Sequence, residues 1–402
     1  MANVVDGGLR AEFISLDPFR LLLSTLASSS RGCWTVRTLH SFYPGAPHPQ
    51  PSFIPPFKAT YTNTLDFEAQ MHKRYAATAM FICAILVPLL YRHHLRDLAE
   101  VIRTYSTFKN LELDKYGYPP DQSEADFART APFLAPNILH QIFLQEGRNS
   151  SRDKYQPART SCEALHTSWY HMLWTDDNAT TFVADNYPSI LPHYINYAQT
   201  IQRTNILRYL LLHHYGGAYL DLDVKCRTPL DDFRHLPWIT PAAHPAGINN
   251  AFILTKPRHP FLNELIAKIP SRDLTWGLPY VENMLSTGCM FITNAWMSYM
   301  RHNSEHEWED KVFVLADEYG GLEGQMLRGK VVTPVFEHGG ASSWHSWDAG
   351  LIFFVGKHAG VVLGLLGAAL IGLGAMLVYW SFRRRMLRHR RRSRDFEKQQ
   401  VR

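Results

Sequence analysis

Two carboxylates stand two residues apart in the run Arg208-Tyr-Leu-Leu-Leu-His-His-Tyr-Gly-Gly-Ala-Tyr-Leu-Asp-Leu-Asp223, at the end of an apolar stretch. If Ala218 to Val224 is a strand, alternate side chains share a face, so Asp221 and Asp223 project together while Leu220, Leu222 and Val224 enter the core. Paired carboxylates at the end of a buried strand make a hard, anionic oxygen site. Mg²⁺ or Mn²⁺ suits such a site, above all when a diphosphate supplies the remaining oxygens. Arg208 is the matching cation, able to neutralise or clamp phosphate, and Gly216 and Gly217 would let backbone approach a ligand closely. An isolated Asp-x-Asp is usually a solvated strand end. One that follows a Gly-Gly stop and an arginine-bearing helix is a candidate site.

The elements that must hold these residues can be read around them. Tyr194 to Tyr215 reads as a helix with Ile201, Leu207, Leu210 and Leu211 among its apolar positions, and Gly216-Gly217 ends it. Ala135-Pro-Asn-Ile-Leu-His-Gln-Ile-Phe143 reads as an opening buried strand, and His171-Met-Leu-Trp-Thr175 as a second one, with Asp176 and Asp177 starting a helix. Helices alternating with short apolar strands predict an α/β sandwich. There is no internal repeat and no heptad array. Residues 92–134 are polar and read as a partly helical stem.

The 402 residues allow two or three domains, and with 46% hydrophobic and 13% aromatic residues they can build a core. The net charge of +5 is local: residues 381–402 hold ten Lys/Arg against two Asp/Glu, a net of +8, so the rest sums to −3. A nucleic-acid binder would not confine its excess charge to one short tail. Ala359 to Trp380 is uncharged and long enough to span a bilayer, and the arginines after it mark a cytosolic tail. Tyr75 to Tyr91 is a second expected span, preceded by Met71-His-Lys-Arg like the basic start of a signal-anchor. Met71 is therefore the expected native start, and residues 1–70, with seven prolines, an extension expected to be disordered. Two spans would place residues 92–358 in a lumen. Two sequons, Asn149-Ser-Ser and Asn178-Ala-Thr, fall in that region, as do Cys162, Cys226 and Cys289, which allow one disulfide and a spare thiol.

The run from Arg208 to Asp223 resembles the DxD signature of the family-32 glycosyltransferases with a GT-A fold. Within that family it is most similar to the fungal catalytic subunits that mannosylate inositol phosphorylceramide. Pro136-Asn-Ile-Leu-His-Gln141 resembles the opening nucleotide-binding strand of these enzymes, and Ile248 to Pro260 the stretch lining the donor and acceptor cleft. Leu285-Ser-Thr-Gly288 and Ser342-Ser-Trp-His-Ser-Trp-Asp348 resemble later segments. The resemblance covers residues 135–350, a catalytic domain between the two spans.

That resemblance implies a retaining, metal-dependent transfer of mannose from GDP-mannose to the inositol of inositol phosphorylceramide, in the Golgi membrane with the catalytic domain lumenal. It implies Mn²⁺ or Mg²⁺ as cofactor, and a regulatory membrane subunit as partner. Asp221 would contact the donor sugar or ribose and belong to the metal site, Asp223 would ligate the metal bridging the diphosphate, and His345 would close over the diphosphate or join the metal site. Arg208, Asn205, Gly216, Gly217, Phe143, Trp344 and Asn250 would form the donor side. Asn205 stands in place of a usual aspartate, Phe143 of a tryptophan, Ala251 of an acid and Cys289 of a proline. The competing expectations are an α-mannosyltransferase acting on protein-linked glycans and a non-catalytic partner subunit of the same fold.

Overall fold

A computed structural model describes residues 60–145, 152–302, 307–340 and 345–400. The chain divides into compact units after Ala76, and the site lies wholly in the second. The helices are α1 (Thr60–Leu90), α2 (Arg92–Thr107), α3 (Gln122–Thr130), α4 (Gln156–Leu165), α5 (Asp176–Asn186), α6 (Leu191–Asn196), α7 (Thr200–Tyr215), α8 (Pro260–Arg272), α9 (Pro279–Ser286), α10 (Cys289–His302), α11 (Trp347–Lys357) and α12 (Ala359–Gln400). The strands are β1 (Lys115–Gly117), β2 (Ile138–Ile142), β3 (Tyr170–Trp174), β4 (Gly217–Leu220), β5 (Val224–Cys226), β6 (Trp238–Pro241), β7 (Phe252–Thr255), β8 (Phe313–Ala316), β9 (Val331–Val332) and β10 (Phe336–His338). The expected α/β architecture is present, as a mixed, mostly parallel sheet.

Seven strands run in the order β1-β8-β6-β7-β4-β2-β3, and β5-β10-β9 form a small second sheet. Among the described residues of the seven-stranded sheet, only β7 is antiparallel to its neighbours, β4 and β6. Along β4 and β7 the side chains alternate between two cores. Tyr219 and Ile253 pack with Leu207, Leu210 and Trp238, whereas Ala218, Leu220, Phe252 and Leu254 pack with Leu139 and Phe233. Helix α7 is buried over Asn205 to Leu212, which is why every residue there except Asn205 and Arg208 is apolar or aromatic.

Gly216 and Gly217 adopt φ of +66° and +88°, which only glycine takes without strain. A Cβ on Gly217 would stand 2.5 Å from the Ile138 carbonyl oxygen, and one on Gly216 would stand 2.7 Å from the Pro257 ring. The pair ends α7 and lets β4 close on its neighbours.

Several expectations need correction. The helix over 194–215 is two helices, broken at Tyr197 to Gln199, where Gln199 and Gln202 form a capping box. The strand over 218–224 ends at Leu220; Asp221 to Val224 is a turn closed by Val224 N–H donating to Asp221 O at 3.1 Å. Residues 92–134 are not a free stem. Strand β1 is the sheet edge, parallel to β8, and α2 is clamped to the domain by Arg272, which pairs with Asp97 and with Glu100 at 2.6 Å. The expected disordered extension lies outside the described residues as far as 59, whereas Thr60 to Gln70 are helical.

Among the described residues, one helix, Ala359–Leu387, is by itself long and apolar enough to cross a membrane by length and composition. The other expected span meets that test only together with α2, from which it is bent by 66°. Cys162 and Cys226 form a disulfide joining α4 to β5, and Cys289 is free. Asn178 Oδ1 closes the α5 capping box by accepting from Thr175 N–H at 2.7 Å, and its amide nitrogen donates to Leu173 O at 3.2 Å. Asn149 lies outside the described residues.

Candidate active site

A cavity of about 650 Å³ opens beyond the carboxyl ends of β2 and β4 and the start of β7. Ligands of open α/β sheets bind there, because the strand ends splay and leave a crevice. Ile142, Phe143 and Leu144 line it from β2, Asp221 and Asp223 from the turn after β4, and Asn249 to Ala251 from the residues leading into β7.

Asp221 is the hub of its floor. The Tyr219 hydroxyl donates to its Oδ1 at 2.6 Å, and Arg208 Nη2 pairs with the same oxygen at 3.2 Å. The Arg208 guanidinium lies over the Tyr219 ring at 4.5 Å and donates through Nη1 to Asn250 O at 2.5 Å. Arg208 is 2% exposed while the Asp221 side chain keeps 30% of its surface open to the cavity. Burial pushes the Asp221 carboxyl up from the ordinary aspartate range; Arg208 opposes that rise and Asp223 adds to it. The cation is thus withdrawn and the anion is presented. Asp223 faces the same space from the turn, with His338 Nε2 at 3.6 Å from its Oδ2.

Of the residues expected in the site, Arg208, Asp221, Asp223, Phe143, Asn250 and His345 line the cavity. Asn205 does not. Its amide nitrogen donates to Asn283 Oδ1 at 2.8 Å and Thr287 Oγ1 at 3.1 Å, and its oxygen accepts from Asn250 Nδ2 at 3.3 Å. It braces Asn250 from behind. Gly216 and Gly217 sit at the far end of β4 from Asp221 and serve the backbone. Trp344 lies outside the described residues.

His345 packs edge-on against Tyr280 at 5.4 Å, and burial lowers its pKa. It shares the cavity with the two aspartates, yet among the described residues no three His, Cys, Asp or Glu side chains are gathered as a metal cluster. The substituted positions Ala251 and Cys289 both line the cavity, the thiol donating to Asn250 Oδ1 at 3.0 Å, with burial pushing its pKa up.

Sequence reasoning passed over Tyr219 and His338. The signal for Tyr219 was present, since it stands two residues before Asp221. His338 has no local signal: it reaches Asp223 because β10 pairs with β5 in a register that sets His338 opposite Val224.

Residues 152–239 match the family described as a glycosyltransferase sugar-binding region containing the DXD motif. The chain is 33% identical over 223 residues to Inositol phosphoceramide mannosyltransferase 3 of Schizosaccharomyces pombe, covering 56% of this chain and 59% of that protein. With Mannosyl phosphorylinositol ceramide synthase CSH1 of Saccharomyces cerevisiae it shares 29% identity over 298 residues, 74% of this chain and 75% of the relative. Uncharacterized glycosyltransferase L373 of Acanthamoeba polyphaga mimivirus is 30% identical over 179 residues, 43% of this chain and 69% of its own length. The chain spans about three-fifths of the Schizosaccharomyces relative's length. With the paired aspartates on the cleft floor inside the matched region, the chain belongs to the glycosyltransferase family that carries the DXD sugar-binding region.

Proposed function

We propose that this cleft takes mannose from GDP-mannose and transfers it, with retention, to the inositol of inositol phosphorylceramide at the lumenal face of the Golgi membrane. The observation that carries the reading is Asp221, held by Arg208 and Tyr219 where the parallel strands open, with Asp223 beside it in the same cavity. The names of the two fungal relatives, an inositol phosphoceramide mannosyltransferase and a mannosyl phosphorylinositol ceramide synthase, support the substrate class. The apolar helix Ala359–Leu387 gives a membrane-bound acceptor a physical rationale.

The donor set suits a divalent cation with two carboxylate ligands, the remaining oxygens coming from diphosphate and water. Asp221 and Asp223 would hold it, and it would supply charge neutralisation for the departing diphosphate. The chain's own residues do the rest. Arg208 fixes the orientation of Asp221, Tyr219 holds the same oxygen, and the Asn205–Asn250 brace keeps the Asn250 carbonyl on Arg208. These groups are set before substrate arrives, so little reorganisation is needed at the reacting centre.

Membranes bearing the protein, incubated with labelled GDP-mannose, Mn²⁺ and inositol phosphorylceramide, should yield a labelled lipid. EDTA should abolish it and Mn²⁺ restore it. Label appearing only on protein glycans would replace the acceptor, and no product from a folded protein would overturn the reading.

A further inference from the structure

Helix α2 is inside out for a helix on a water-facing domain. Its polar side chains Asp97 and Thr104 are buried, against Arg272 and against Asn294 at 2.8 Å. Its apolar side chains Leu95, Leu98, Ile102 and Tyr105 recur at i, i+3, i+7 and i+10, the spacing of one stripe, and face out, with Ile102 69% exposed. Arg92, Arg96 and Arg103 form a neighbouring exposed stripe. An apolar stripe beside a basic one is the pattern of a helix lying in a membrane interface.

Helix α11 repeats the inversion. Asp348 is fully buried, accepting from Tyr280 N at 2.8 Å, while Trp347, Leu351 and Phe354 at i, i+4 and i+7 are exposed. The two helices belong to one side of the domain, α2 packing on α10, α10 on α9 and α9 on α11. Only His358 separates α11 from the apolar helix Ala359–Leu387, none of whose most apolar window is buried. Phe353 of α11 also lines the cavity, against Tyr280 and His345.

We infer that α2 and α11 together form a membrane-docking face, seated in the headgroup layer of a bilayer, which holds the rim of the cleft at the lipid surface. This face does not depend on which acceptor the cleft uses. Arg92, Arg96 and Arg103 favour anionic lipid beside the apolar stripe.

The test uses the full chain reconstituted in phosphatidylcholine–phosphatidylserine vesicles. An environment-sensitive fluorophore is placed on a cysteine at Ile102, Leu351 or, as a control, the exposed Tyr319, after Cys33, Cys83 and Cys289 are replaced by serine. At 102 and 351, nitroxides attached to lipid near the headgroup should quench it and aqueous iodide should not; at 319 the reverse should hold. Iodide quenching at 102 and 351 equal to that at 319 would overturn the inference. In a second arm, L98S/I102S should lower transfer to acceptor in a bilayer by roughly tenfold and leave transfer to a water-soluble headgroup unchanged. An equal loss on both acceptors, or none on either, would also overturn it. Absence of transfer by the unaltered protein would sink the proposed reaction alone and leave the quenching result to decide the docking face.

Discussion

On the β4 side of the cleft, charged groups are drawn out of water and held by one another; on the α11 side, apolar groups are pushed out into it. Arg208 gives up its hydration for Asp221, Tyr219 and the Asn250 carbonyl, an arrangement that is costly unless every partner stays in place. Leu351 and Phe354 keep more than half of their surface exposed, and another apolar phase would compensate that exposure. The first region is a site finished by the chain itself. The second is a surface finished by what it meets, and the two should respond to mutation in opposite ways.

The largest effect should come from Arg208→Ala. It strands a carboxylate and a buried carbonyl, so unfolding of the detergent-solubilised protein should become easier by about 3–5 kcal/mol. Arg208→Lys, which keeps charge but not the fork, should recover only part of that. Acid comes next. His140 is wholly buried, with Nε2 on the Gly216 carbonyl at 3.0 Å and Nδ1 accepting from Trp174 Nε1 at 3.2 Å. Burial lowers its pKa from 6.5 to about 4. The unfolded ring takes its proton near the higher value and the folded ring near the lower. The stability that comes from keeping it neutral is therefore whole above 6.5 and drains away as pH falls toward 4. The total is about 3 kcal/mol, read as a pH-dependent denaturation midpoint whose slope flattens in His140→Gln.

Tyr219→Phe should cost about 1 kcal/mol, because it removes the hydroxyl from Asp221 but leaves the ring under Arg208; thermal unfolding reads it. The smallest change should lie on the other region. Ile102→Ser should shift stability in detergent by less than about 0.5 kcal/mol, and a larger loss would mean that the α2 stripe packs against protein.

The parts of the molecule that were legible beforehand are those with local causes. The strand at Ile138–Ile142, the strand at Tyr170–Trp174 and the stop at Gly216 follow from apolar runs and glycine backbone freedom. Asp221, Asp223 and Arg208 were findable as a carboxylate pair and a cation flanking a glycine stop, although the two aspartates meet through a turn and not along a strand. What was missed has non-local causes. Asn205 reads as a ligand residue because it stands where a relative's acid would, yet α9 and the residue after it supply Asn283 and Thr287, which draw its amide away from the cleft. His338 meets Asp223 only through the pairing of β10 with β5. Residues 92–134 look like a stem because α2 carries its apolar stripe on the outside, a pattern that composition alone cannot orient.

The central claim is that Asp221 and Asp223 make this cleft a metal-dependent nucleotide-sugar site. Calorimetric titration of GDP-mannose into the purified full chain tests it without the acceptor or the membrane. Binding that requires Mn²⁺, vanishes in EDTA and is lost in an Asp223→Ala protein that unfolds like the original is the predicted result. Equal affinity with and without Mn²⁺, or in the Asp223→Ala protein, would contradict it.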